Sequence, residues 1–160
     1  MVTFDDLDMK ILAVLIDDAS ISVPKLSNQI NVNTSVVYSR IKRLVKKGLI
    51  ERFTLELDES LLGFPVRAII GCNIDSKKRT EIINEIRGLA ETREILEVTG
   101  RFDLMIVVRA RSLEELHQFI SQRMGQIDGV RYTETFIEMQ KRTRVAHYIS
   151  DPKISHTDPK

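Results

Sequence analysis

One run of short polar and basic side chains carries the clearest chemistry in this chain. From Asn33 to Lys47, NTSVVYSRIKRLVKK, an amide, hydroxyls and a phenol lead, and lysines and arginines follow. Short polar groups near the start of a helix can reach base edges in a DNA major groove about 12 Å wide. Lysines and arginines further along meet phosphates. The spacing assigns base discrimination to Thr34, Ser35, Tyr38 and Ser39, and phosphates to Lys42, Arg43, Lys46 and Lys47. Asn33 and Arg40 complete the candidate DNA-binding set. A second constellation is Thr99-Gly100-Arg101-Phe102-Asp103. Gly100 lets backbone amides approach a carboxylate. Arg101 adds a charge-assisted bond, and Asp103 takes an ammonium. Those are the two charged groups of a free amino acid. The competing reading of the same residues is a hairpin turn with no ligand.

Two short helices must position the first set. Ser22 caps one, with Pro24 in its first turn and Val23, Leu26 and Ile30 as its apolar stripe. Asn31 tolerates the left-handed conformation that ends it, and Asn33 caps the next. In that second helix Val36, Val37, Ile41, Leu44 and Val45 face the core, and Gly48 ends it. An earlier helix from about Phe4 to Asp17, capped by Thr3 or Asp5, brings Leu7, Ile11, Val14 and Leu15 to both. This is a helix-turn-helix arrangement. The competing reading is a solvated amphipathic helix in a bundle.

Charge favours DNA. Between Asn31 and Arg52 six basic residues stand against Glu51 alone, a net of +5. Residues 1–30 hold five Asp against Lys10 and Lys25, a net of −3. A chain of net +1 has thus gathered positive charge on one helix.

Composition excludes other classes. With 42% hydrophobic and 29% charged residues, the chain reads as an ordinary soluble globular protein. No apolar run is long enough to span a bilayer, and the acidic start is not a secretory signal. No membrane role is expected. Cys72 is the only cysteine and lies in the apolar run VRAIIGCNI, which predicts a buried small residue. Without an intrachain disulfide, a reducing cytoplasm is expected. His117, His147 and His156 are too scattered for a metal cluster, and no catalytic nucleophile or acid/base pair gathers. Neither enzyme activity nor a cofactor is expected.

The chain divides into residues 1–50, a helix-turn-helix DNA-binding domain; 51–65, a linker with a strand; 66–148, a sheet domain; and 149–160, a polar tail. In the linker Phe53, Leu55 and Leu57 alternate with polar residues, a strand signal, before Gly63 and Pro65. Strands are predicted over 66–74, 93–99, 104–110 and 130–140, with helices over 77–89 and from Ser112. There Glu115 stands at the reciprocal position of a capping box. Arg79, Glu81, Glu85 and Arg87 read as an exposed face with local ion pairs. The order is strand-helix-strand twice, the split βαβ or ferredoxin-like arrangement. The fold class is therefore α+β. Such a sheet has helices on one face, and a second copy of the chain is the simplest cover for the other. The run Lys141-Arg142-Thr143-Arg144 reads as a solvated strand end, with contact to wrapped DNA as the competing reading.

From Leu7 to about His147 the chain resembles the Lrp/AsnC, or feast/famine, family of transcription regulators. LDMKILAVLIDDASIS, SRIKRLVKKGLIERFTLELD, EILEVTGRFDLMIVV and IDGVRYTETFIEM carry the likeness, in the family's order. The resemblance implies a winged-helix-like DNA-binding domain and a ferredoxin-like βαββαβ ligand-sensing domain. It also implies a homodimer formed through the sheets, assembling further into tetramers or octamers, and an amino acid as effector. By resemblance Thr135, Phe136 and Ile137 join the loop residues as effector contacts; their other reading is a buried dimer surface. Asn33-Thr34 stands where many members have Ser-Pro, and Glu138 stands where the pocket is often apolar. The function implied is sequence-specific regulation, with architectural DNA wrapping of weak sequence preference as the runner-up.

Overall fold

The computed structural model describes residues 4–142. They form two compact units, one running to Leu55 and one from Glu56 to Lys141. The tail 149–160 and Thr143-Arg144 lie outside the described residues.

The first unit is three helices: α1 (Asp6–Asp17), α2 (Val23–Gln29) and α3 (Thr34–Lys46). Each starts where a side chain accepts an orphan backbone N–H: Asp5 from Asp8, Ser22 from Lys25, Asn33 from Ser35. α1 begins two residues later than the periodicity predicts. The reason is a reciprocal capping box between Asp5 and Asp8, which fixes the start. Asn31 is left-handed at φ 55°, and it turns the chain from α2 into α3. Ile11, Leu12, Leu15, Leu26, Val37 and Leu44 form the core. Each such side chain is worth about 1.5–3 kcal/mol when buried. Val36 and Val45, expected to face that core, are exposed instead. At 100° per residue, one step from Val37 or Leu44 already leaves the buried stripe.

No strand forms between residues 51 and 65, contrary to expectation. Phe53, Leu55 and Leu57 are 53%, 81% and 59% exposed. Their alternation supplies an apolar side, but a strand needs a neighbour for its N–H and C=O groups. Residues 51–65 pair with none of the described strands. A turn follows, in which the Phe64 N–H donates to the Glu59 carbonyl at 3.0 Å.

The second unit holds β1 (Val66–Ile74), α4 (Arg79–Arg87), β2 (Thr92–Glu97), β3 (Leu104–Ala110), α5 (Leu113–Gln118) and β4 (Val130–Ile137). The sheet order is β2-β3-β1-β4, with each neighbouring pair antiparallel. This is the predicted ferredoxin-like arrangement. Ala68, Ile70, Cys72, Leu104, Ile106 and Val108 pack on one sheet face against Ile82 and Ile86 of α4 and Leu116 of α5. Cys72 is buried there, and burial pushes its thiol up to about 11. Among the described residues, no helix of this unit covers the other face. Three local details differ from expectation. The helix predicted over 77–89 is a single 3₁₀ turn, Ser76–Lys78, leading into α4. β2 and β4 stop short of Thr99 and Gln140. Ser112 does cap α5, but the Glu115 carboxylate takes the Arg111 N–H at 2.5 Å, so the box is only half closed.

Candidate functional site

The leading face of α3 can be read atom by atom. Asn33 Oδ1 accepts the Ser35 N–H at 2.9 Å and the Ser35 hydroxyl at 2.7 Å. Ser27 is buried on α2, and its hydroxyl donates to the Pro24 carbonyl at 2.8 Å. Thr34 Oγ1 lies 2.8 Å from Ser27 Oγ. A hydroxyl has one hydrogen, so Thr34 must be the donor. Thr34 therefore ties α2 to α3, and its hydroxyl has only lone pairs left to offer another group.

Tyr38 is half exposed, and Lys42 Nζ lies 4.6 Å from its ring centroid, one helical turn on. Ser35, Tyr38, Ser39, Lys42 and Lys46 recur at steps of three and four residues and are all exposed. They form one stripe opposite Val37, Ile41 and Leu44. Arg40 and Arg43 are not on it. Both turn to α1, Arg40 to Asp5 and Asp8, Arg43 to Asp8. The sequence reading grouped them with the lysines it assigned to phosphates because charge alone does not show which acid lies across a helix packing.

The loop between β2 and β3 holds the second constellation. Gly100 has φ 137°, a backbone conformation that a side chain strains. Phe102 is nearly buried over Gly71 of β1, stacked on Tyr132 and edge-on to Phe136, each ring centroid 6.4 Å away. Arg101 lies 5.2 Å from the centroid of the Phe102 ring, and its Nη2 is 2.8 Å from Glu134 Oε2. Asp103 is committed four ways. Its N–H donates to the Cys72 carbonyl at 3.0 Å and its carbonyl accepts from Val98 at 3.1 Å. Its carboxylate takes the Ile74 N–H at 3.0 Å and lies 3.7 Å from Arg79. The two charges assigned from sequence to a ligand's ammonium and carboxylate are thus met by protein groups. Arg79 also pairs with Glu97 at 2.9 Å, so its bonds leave the helix instead of running to Glu81 or Glu85.

Strand alternation divides the β4 residues between the two faces of the sheet. Thr135 and Ile137 pair with Ile70 and Ala68, on the helix-covered face. Only Phe136 shares the helix-free face with Phe102. Its neighbours on that face of β4 are Tyr132 and Glu134, paired with Asn73 and Gly71. The sequence reading did not group Asn73, Tyr132 and Glu134 with Phe102; counting by twos from Phe136 and Gly71 places them on its face. Asn73 Oδ1 is a buried acceptor with no hydrogen-bond partner among the described residues. Glu138 lies just past β4 and pairs with Arg67. Lys141 pairs with Glu56 at 2.9 Å. Among the described residues no three His, Cys, Asp or Glu side chains gather for a metal, and no helix is long and apolar enough to cross a membrane.

Comparison with known proteins agrees with this geometry. Residues 4–51 match the winged helix-turn-helix DNA-binding family, and residues 67–145 match the Lrp/AsnC ligand binding domain. An uncharacterised HTH-type transcriptional regulator of Pyrococcus furiosus is 35% identical over 136 residues, 85% of this chain and 91% of the relative. The structure of E. coli AsnC superposes with a TM-score of 0.82 at 26% identity, covering 91% of this chain and all of that one. A Neisseria meningitidis transcriptional regulator, solved as its complex with L-Met, shares the fold at a TM-score of 0.84 and 19% identity, over 89% and 94% of the two chains. The chain belongs to the Lrp/AsnC family of DNA-binding transcriptional regulators.

Proposed function

We propose that this regulator reads a specific DNA sequence as an oligomer and that an amino acid or related small molecule modulates it. The observation that carries the reading is the exposed stripe Ser35, Tyr38, Ser39, Lys42 and Lys46, opposite the buried face of α3. Its hydroxyls and phenol supply base contacts, and its lysines supply phosphate contacts. One stripe offers few base contacts, so specificity comes from pairing. Two copies present two α3 helices to successive major grooves, about one helical turn apart. The helix-free sheet face supports a homodimer, because it leaves Leu96, Tyr132 and Phe136 exposed. By the same family likeness dimers build tetramers or octamers. As a DNA-binding protein it works in the cytoplasm.

An effector acts only by binding one assembly better than another. The cluster of Phe102, Tyr132, Phe136, Asn73 and Glu134 is its proposed seat, next to the Thr99–Asp103 loop. The L-Met complex of the Neisseria regulator supports an amino acid as the ligand class.

Footprinting of the full chain on genomic DNA fragments, with and without each free amino acid, tests the reading. Discrete protected sites that one amino acid shifts or weakens are expected. Spreading, unpatterned protection that no amino acid alters would contradict it.

A further inference from the structure

We infer that Asp5 and Asp8 are positioning residues for DNA binding: they hold Arg40 and Arg43 against the start of α1 and so fix how α3 meets the groove. The inference rests on α3 being the recognition helix.

Asp8 is the reason to look here. Its side chain is 0% exposed although it carries a carboxylate on the first turn of α1. A buried carboxylate without partners is costly, so whatever surrounds it is tightly specified. Asp8 Oδ2 takes the Asp5 N–H at 3.1 Å, and Asp5 Oδ1 returns the bond from the Asp8 N–H at 3.0 Å. That box leaves the carboxylates room for two more donors, and both come from α3. Arg40 Nη1 bridges Asp5 Oδ2 and Asp8 Oδ1, the latter at 3.2 Å, and Arg43 Nη2 bonds Asp8 Oδ2. Two acids therefore meet two guanidinium groups one helical turn apart. The pairing sets the rotation and slide of α3 on α1, which the apolar contacts of Val37 and Leu44 alone leave looser.

This changes the electrostatic reading of the helix. Arg40 and Arg43 are only partly exposed and already bound. Phosphate contact falls to Lys42, Lys46 and Lys47. It also gives a sign that separates positioning from charge. Removing an acid near DNA strengthens binding by simple attraction. A positioning acid does the opposite for the specific site.

The test uses the full-length chain, a duplex recovered by selection from a random pool, and a scrambled duplex of the same length. Affinity for both is measured across a salt series for the wild type, Arg40→Gln, Arg40→Lys and Asp8→Asn. Arg40→Gln should leave the salt slope unchanged and lower the specific-to-scrambled ratio roughly tenfold, the scale of one lost base-pair preference. Arg40→Lys keeps the charge but ends about 1 Å short of where Nη1 bridges the two carboxylates, so it should lose the ratio as well. Asp8→Asn should bind scrambled DNA more tightly and the selected duplex less. A salt slope lowered by about 0.9 in Arg40→Gln, whatever the ratio, makes Arg40 a phosphate contact and overturns the inference. So does an unchanged ratio in Arg40→Gln. Should Asp8→Asn fail to fold, the Arg40 pair still decides, because Arg40 is partly exposed. A wild-type chain that does not distinguish the two duplexes would sink the recognition-helix reading itself, and the inference with it.

Discussion

The Phe102 ring lies over Gly71 so closely that a β-carbon at residue 71 would fall 2.6 Å from it. The β2–β3 loop is thus seated on the sheet by the absence of a side chain on β1. The same contact sets where Arg101 and Asp103 project.

Gly71→Ala should unseat Phe102. Overpacking of this kind costs about 1–3 kcal/mol, read as a lower denaturant midpoint. The Phe102 ring signals in NMR should shift with it. Phe102→Leu in the Gly71→Ala background should recover part of the loss. An unchanged midpoint with unmoved ring signals would show that the loop does not depend on this contact.

Tyr38→Ala and Lys42→Ala should fail differently. Loss of Tyr38 should lower discrimination between selected and scrambled DNA. Loss of Lys42 should weaken both equally and reduce the salt slope by about 0.9. Matching losses on the two duplexes for Tyr38→Ala would take the phenol off the list of base contacts.

The Arg40 guanidinium, with the Asp8 N–H, holds the Asp5 carboxyl below its ordinary value of 3.8. A depressed carboxylate stabilises the fold above the unfolded value and loses that contribution as pH falls through the folded one. Carboxyl NMR titration should place Asp5 below 3.8 in the wild type and move it upward in Arg40→Gln. The same midpoint in both proteins would mean that Arg40 does not bear on Asp5.

Much of this was legible in the sequence, because it depends on local signals. The caps Asp5, Ser22 and Asn33, the left-handed Asn31 and the strand-helix-strand order are each set by a few neighbouring residues. What was not legible depends on packing between distant segments. Nothing near Arg40 or Arg43 in sequence announces Asp5 and Asp8, more than 30 residues away. The same holds for Asp103, whose carboxylate serves Ile74, and for Arg101, which faces Glu134. The linker failed for the converse reason. Phe53, Leu55 and Leu57 alternate correctly, but pairing is a property of two segments. Thr135 and Ile137 lie on the opposite face from Phe136 because a family likeness marks a stretch of strand, whereas the pleat divides it residue by residue.

Cys72 should be inert in the folded protein. Its thiol is buried and raised from 9.0 to about 11, which leaves about a hundredfold less thiolate. A thiol-disulfide reagent at pH 8 should label it only as fast as the sheet domain unfolds. Fast labelling of the native chain would place the thiol at the surface.

Selection of binding sites from a random duplex pool, with the full-length chain and its Tyr38→Ala variant side by side, tests most directly that the α3 stripe reads sequence. The wild type should enrich a roughly palindromic motif with half-sites about one helical turn apart, and the variant should lose preference at defined positions within it. A wild-type pool with no enriched motif, or an identical motif from the variant, would contradict it.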